Sequence, residues 1–216
     1  MKNLLINLLD WVYKKKCYFC GNSKESLKMC SKCYEEMEYL PVAENRIIVG
    51  SKIYCAGEYD QNLQKLIRGI KYHNQRELAY FQAKFMYDYW QKFSDKNAIC
   101  QVVPIPLFLK REKDRKYNHM KLVAEEFCKL TGYNINIELV ERIKDTKPQY
   151  KLTKNQRMEN LANAFKVNKN KLLNCTVLLF DDICTTGSTF ESIILELQKN
   201  NINDIVCFAT TTPFNE

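Results

Sequence analysis

The sequence predicts an α/β protein with a mainly parallel sheet, preceded by a small cysteine-rich module. Three observations carry that expectation. From Ile99 onward, short apolar runs alternate with amphipathic helical stretches, as strands joined by helical crossovers do. One such run, Cys175–Phe180, ends in two carboxylates and a small-residue loop that opens a helix. Four cysteines fall within Cys17–Cys33 at metal-ligand spacing. The expected domains are residues 1–40, an N-terminal helix and cysteine module, and residues 41–216, the α/β domain.

The elements follow in order. Leu4, Leu5, Leu8, Leu9 and Val12 lie on one face of an amphipathic helix. Its apolar run falls far short of the ~20 residues that a membrane span needs. No small-residue cleavage site follows, so no signal peptide is expected. After the cysteines, Glu35–Leu40 reads as a helix ended by Pro41. Arg46–Tyr59, rich in β-branched and aromatic residues, reads as a strand pair bent at Gly50 and Gly57. Asn62–Tyr72 and Glu77–Phe93 read as helices, the second with a Tyr and Phe stripe of core type. Ile99–Val103 is a buried strand leading into Pro104-Ile-Pro106. The basic stretch Lys110–Lys116 leads into a helix over Asn118–Leu130 that Gly132 ends. Glu138–Val140 is a strand. The polar segment Arg142–Asn160 suits a mobile loop and a short helix. Cys175–Phe180, Ser188–Lys199 and Ile205–Thr210 complete the domain as strand, helix and strand. A parallel sheet places ligands at the carboxyl ends of its strands.

Composition narrows the class. The 216 residues, 46% of them hydrophobic, suffice for one sizeable core and a small appendage. With 6 glycines, 5 prolines and no internal repeat, disordered and repeat classes are excluded. The net charge of +8 favours contact with phosphates, nucleic acid included, although lysines spread over a surface would give the same total. Of the 10 cysteines, six are scattered; Cys100, Cys128 and Cys207, in apolar runs, exemplify small buried hydrophobes. The consistent location is the cytoplasm, with peripheral attachment to the inner face of the membrane as the alternative.

Cys17-Tyr-Phe-Cys20 and Cys30-Ser-Lys-Cys33 form two C-x-x-C pairs separated by nine residues. Four thiolates at about 2.3 Å close a tetrahedral zinc site with no open position, so the expected role is structural. An iron–sulfur cluster and redox-active pairs are the alternatives. So small a module has little core, and metal binding must supply its folding free energy.

The most informative segment is Val177-Leu-Leu-Phe180-Asp181-Asp182-Ile-Cys-Thr185-Thr186-Gly187-Ser188-Thr189. The loop and helix start present backbone N–H groups and a positive dipole end to an anion. Gly187 permits close approach, and Thr185, Thr186, Ser188 and Thr189 add hydroxyl donors, so a dianionic phosphate fits. Asp181 and Asp182 repel phosphate and call instead for hydroxyl donors or a cation such as Mg²⁺. A helix cap alone explains one Asp or Ser, not the whole run. His73 and His119 are not placed in the sequence with Cys or Asp as a catalytic set, no Ser/His/Asp triad is readable, and Thr185 reads as a phosphate ligand rather than a nucleophile.

The segment resembles the phosphoribosyl-pyrophosphate signature of type I phosphoribosyltransferases. The likeness extends through the four-Cys module, Leu66-Ile-Arg68-Gly-Ile-Lys71-Tyr72, Val103-Pro-Ile-Pro106, Arg115-Lys-Tyr-Asn118-His119, Arg142, Gln149, Arg157, Asn160 and Ala164-Phe165, in the order seen in the ComF family of competence proteins. Two positions depart from the family's usual pattern: Lys116 stands for a Gly and His119 for a Gln.

The resemblance implies a type I phosphoribosyltransferase fold. It implies that Thr185–Thr189 hold the 5-phosphate of 5-phosphoribosyl-1-pyrophosphate, that Asp181 and Asp182 hold the ribose hydroxyls, and that Mg²⁺ bridges ribose and pyrophosphate. Arg115, Arg142 and Arg157 are the expected contacts for pyrophosphate or nucleic acid. It further implies a cytoplasmic protein of DNA uptake in natural transformation that handles single-stranded DNA, with other DNA-uptake or recombination proteins as candidate partners. Two alternatives stay open: an active phosphoribosyltransferase with a nitrogen acceptor, and a ligand sensor without turnover.

Overall fold

The computed structural model describes residues 15–41, 46–94, 99–108, 117–144, 163–168, 170 and 175–213. The expected helix over residues 1–13, the basic stretch 110–116 and all but the start of the polar segment 142–160 lie outside the described residues. The chain separates into two compact units, Met1–Glu38 and Tyr39–Glu216.

In the small unit, the backbone N–H of Cys17 donates to Asn22 O at 2.8 Å and that of Tyr18 to Lys28 O at 2.7 Å. Gly21, at φ 78°, supplies the left-handed residue of this turn. Helix α1 spans Ser31–Glu35, with Cys30 as its N-cap. This corrects the expected helix over Glu35–Leu40. The helix begins inside the second C-x-x-C pair because the first-turn geometry brings Cys30 and Cys33 to one side. The Glu25 carboxylate accepts from Ser31 N at 2.9 Å and Ser31 Oγ at 2.7 Å, meeting the positive end of this turn.

The larger unit contains β1 (Arg46–Ile48), β2 (Ser51–Glu58), α2 (Gln61–Tyr72), α3 (Leu78–Phe93), β3 (Ile99–Pro104), α4 (His119–Thr131), β4 (Asn134–Ile135), β5 (Val140–Arg142), β6 (Phe165–Val167), β7 (Thr176–Ile183), α5 (Ser188–Lys199) and β8 (Ile205–Thr212). Six strands form one sheet in the order β1-β2-β8-β7-β3-β4. Only β1 runs antiparallel to its neighbour; the other four pairings are parallel. The protein is thus a mixed α/β molecule with a mostly parallel sheet. Strand β5 shifts by two residues from the sequence expectation. It pairs antiparallel with β6, a strand too short to have been legible, in a separate two-stranded sheet.

Side-chain alternation divides the core into two layers. Tyr54, Phe180 and Phe208 project to one side of the sheet and meet Tyr89 and Trp90 of α3 and Phe127 of α4, with Trp90 and Phe208 ring centroids 5.2 Å apart. The aromatic stripe of α3 is therefore core. Ile53, Cys55, Val177, Leu179 and Cys207 project to the other side and join Phe190, Ile193, Ile194 and Leu197 of α5. Both faces are covered, which is why Val177–Phe180 of β7 and Ile205–Ala209 of β8 read as unbroken apolar runs.

Local chemistry fixes the helix ends. Asp60 Oδ1 accepts from Leu63 N at 2.7 Å at the start of α2. Asn118 Oδ1 accepts from Met120 N at 2.9 Å at the start of α4, which Gly132 ends in the left-handed region. Gly57 is no bend: it lies within β2, where a Cβ would collide with Leu63 Cδ1 and lie 3.0 Å from Phe85 Cζ. The scattered cysteines Cys55, Cys128, Cys184 and Cys207 are free and buried, whereas Cys175 is disulfide-bonded. No helix among the described residues is long and apolar enough to cross a membrane.

Candidate functional site

The carboxyl ends of β7, β3 and β2 adjoin one cleft of about 830 Å³, whose lining includes Tyr59, Ile105, Asp181, Asp182 and all of Thr185–Thr189. Strand β7 is carried to Cys184, whose N–H donates to Thr211 O at 2.9 Å. The chain then turns through Thr185 and Thr186 into α5. Gly187 stands at the N-cap with φ 79° and offers no side chain to cap the helix, so the cap itself leaves room for an anion there. The Thr186 and Ser188 hydroxyls lie 2.7 Å apart and tie the loop to the helix start.

Arg46 of β1 adds contacts that sequence reasoning did not anticipate. Its Nη1 donates to Thr185 O at 2.9 Å and its Nη2 to Thr212 Oγ1 at 3.3 Å. Its partners lie 139 and 166 residues away, so only the pairing of β1, β2 and β8 could reveal them.

Successive strand residues point to opposite faces, and this separates the two aspartates. Asp182 shares the parity of Phe180 and points toward α2 and α4. Its Oδ2 is paired with Lys71 Nζ and lies 2.6 Å from His119 Nε2. Burial alone would raise the Asp182 pKa, but the Lys71 charge and the His119 contact outweigh it and hold this carboxylate well below its usual range. Asp181 shares the parity of Leu179. Burial and the Asp182 charge push it up to about 7, against the lowering effects of its bond from the Asp182 N–H and of Lys71 and Arg142. The expectation that His119 is not set beside an Asp is thereby corrected. The readable signal was Asn118, a helix cap that fixes the next residue at the cleft; the partner, 63 positions on, carried no local sign.

Of the three arginines expected near a second anionic group, Arg142 lines the cleft, nine-tenths buried, with its guanidinium 5.5 Å from the Phe165 ring. Arg115 and Arg157 lie outside the described residues. Arg68 and Lys71 of α2 also line the cleft. With one wall able to receive a phosphate and cations elsewhere in its lining, the cleft is chemically suited to a small ligand with two anionic groups.

In the small unit, the ligand sulfurs of Cys17, Cys20, Cys30 and Cys33 all lie within 4.8 Å of one another. Cys20 Sγ and Cys30 Sγ are 3.7 Å apart, close to the ~3.8 Å edge of a tetrahedron with 2.3 Å metal–sulfur bonds. Burial raises the Cys17 thiol, but the N–H groups of Cys20, Cys30 and Phe19 outweigh it and bring it to about 7. Burial and the neighbouring thiols push Cys33 up. Four thiolates at this distance need a cation, and the cluster could hold a zinc ion.

No family model matches the chain. It is similar to competence protein F of Haemophilus influenzae, 29% identical over 88% of this chain and 86% of that protein. It is similar to DNA utilization protein YhgH of Salmonella typhimurium, 22% identical over 85% of this chain and 84% of that protein. Competence protein ComFC of Bacillus subtilis is 23% identical over 80% of this chain and 67% of that protein. The similarity runs along most of the chain, and these relatives support a ComF-type competence protein.

Proposed function

We propose that this protein acts in DNA uptake during natural transformation, where it handles incoming single-stranded DNA, and that its larger unit is a phosphoribosyltransferase-type domain that binds 5-phosphoribosyl-1-pyrophosphate with Mg²⁺. The observation that carries the ligand is that Thr185–Thr189, Asp181 and the cations Arg68, Lys71 and Arg142 share one cleft. The loop receives the 5-phosphate. Asp181 accepts from the ribose hydroxyls, and the cations face the pyrophosphate. Mg²⁺, a hard cation that prefers oxygen ligands, comes with the pyrophosphate. Charge-assisted hydrogen bonds of roughly 1.5–3 kcal/mol each would bring affinity to the micromolar range, about −8 kcal/mol.

The DNA role rests on the names of the similar proteins, which are competence and DNA utilization proteins, and on the net charge of +8. The cysteine cluster binds one structural zinc.

Calorimetric titration with 5-phosphoribosyl-1-pyrophosphate and Mg²⁺ tests the ligand. Micromolar binding by the wild type, weakened at least tenfold by Asp181→Asn, is expected; a flat wild-type titration overturns the reading. For DNA, binding of a single-stranded oligonucleotide that weakens steeply with salt is expected. Absence of binding at low salt removes that role.

A further inference from the structure

We infer that Arg46 is the positioning residue of the phosphate loop, and that the β1–β2 hairpin is a brace holding the loop in its anion-receiving shape. The inference rests on the reading of Thr185–Thr189 as the 5-phosphate site.

Arg46 uses two arms of its guanidinium on two different segments. Nη1 takes the Thr185 carbonyl at 2.9 Å, and Nη2 takes the Thr212 hydroxyl at 3.3 Å at the end of β8. A carbonyl at the mouth of an anion site is repulsive to phosphate, and drawing it onto a cation offsets that repulsion. The planar fork makes both bonds at once, which an ammonium cannot. Ile48, two residues along β1, has Arg46's parity. Its Cδ1 occupies the space that a Cβ on Gly187 would take. The hairpin thus touches the loop at its first residue and at the helix cap, while Ile47, between them, is 77% exposed.

The register of this brace is specified. Ile48 pairs with Ser51 across a two-residue turn in which Val49 and Gly50 both have positive φ. Gln198 Nε2 of α5 donates to Val49 O at 3.3 Å, fastening the turn to the helix that the loop begins. A slip by one residue would turn Arg46 and Ile48 outward and Ile47 inward.

The test is calorimetry on the full-length protein with ribose 5-phosphate and, separately, inorganic pyrophosphate with Mg²⁺. Arg46→Ala is expected to weaken ribose 5-phosphate at least tenfold and to leave pyrophosphate, held by the cations around Lys71, within twofold. Arg46→Lys is expected to recover only part of the loss, and Ile47→Ala to change neither ligand. If Arg46→Ala does not fold, Arg46→Lys alone decides, with a loss of at least threefold for ribose 5-phosphate expected. Unchanged ribose 5-phosphate affinity, or equal weakening of both ligands, overturns the bracing role. A wild type that binds no ribose 5-phosphate overturns the phosphate-site reading and the brace with it.

Discussion

His119 Nε2 lies 2.6 Å from Asp182 Oδ2, the same oxygen that Lys71 pairs with, and all three side chains are largely withdrawn from water. A buried carboxylate shared by two donors is costly to strip of either one. Lys71→Met is expected to destabilise the protein by about 3 kcal/mol in urea denaturation. His119→Leu is expected to cost less, about 1–3 kcal/mol. Asp182→Asn combined with Lys71→Met is expected to recover part of the first loss, a coupling that a double-mutant cycle reads directly.

Stability of the ligand-free protein should depend on pH in two opposite ways. Asp181 is raised to about 7 in the folded state, against about 3.9 in an unfolded chain. Between those values the folded state holds a proton that the unfolded state has lost, so this residue makes stability fall as pH rises. Asp182 has the reverse sign. Its folded value is depressed, so its contribution is present above about pH 3.9 and is lost as pH falls below that. Denaturation curves from pH 4 to 8 are expected to show a downward slope that Asp181→Asn flattens.

Metal removal should act on the small unit. One zinc per chain is expected in elemental analysis, and Cys33→Ser is expected to lower that occupancy. Folding of such modules can depend on metal binding worth about 10–16 kcal/mol. Chelation is therefore expected to expose residues 15–38 to protease. An unchanged digestion pattern would show that the module is held together by other contacts.

Val49 is a β-branched residue at φ 49°, a conformation costing roughly 1–2 kcal/mol for residues with a Cβ. Asn tolerates that region better. Val49→Asn is expected to stabilise the protein by about 1 kcal/mol, a rise in Tm of roughly 2–4 °C for a unit of this size.

Gly57 is filled around rather than flexible. Gly57→Ala must displace Leu63 Cδ1 or the Phe85 ring, and a loss of about 1–3 kcal/mol is expected in denaturant. A neutral result would mean that α2 yields at no cost.

Much of this was legible in the sequence because local signals and burial agreed. The apolar run of β7, the caps Asn118 and Gly132, and the inward residues of α5 each fixed an element without distant context. The loop Thr185–Thr189 was legible because its chemistry is contiguous. The Asp182–Lys71–His119 contacts were not, since they join three elements that meet only once the sheet is formed. Arg46 was hidden for the same reason. The helix expected at Glu35–Leu40 failed because the metal-ligand spacing, rather than apolar periodicity, governs where α1 starts. Strand β6 is too short to show a period of two, and its partner β5 lies 25 residues before it, Val140 facing Val167 and Arg142 facing Phe165.

The position of β8 has a consequence for biosynthesis. This strand sits between β2 and β7, yet Lys52 must wait for Val206, and Val177 for Ile205, before either edge is closed. A nascent chain emerging from the ribosome therefore carries two open, apolar strand edges until Thr212 has been made. Such edges are templates for association with other chains. Removal of Ile205–Thr212 would leave a split sheet prone to aggregation rather than a slightly shortened protein.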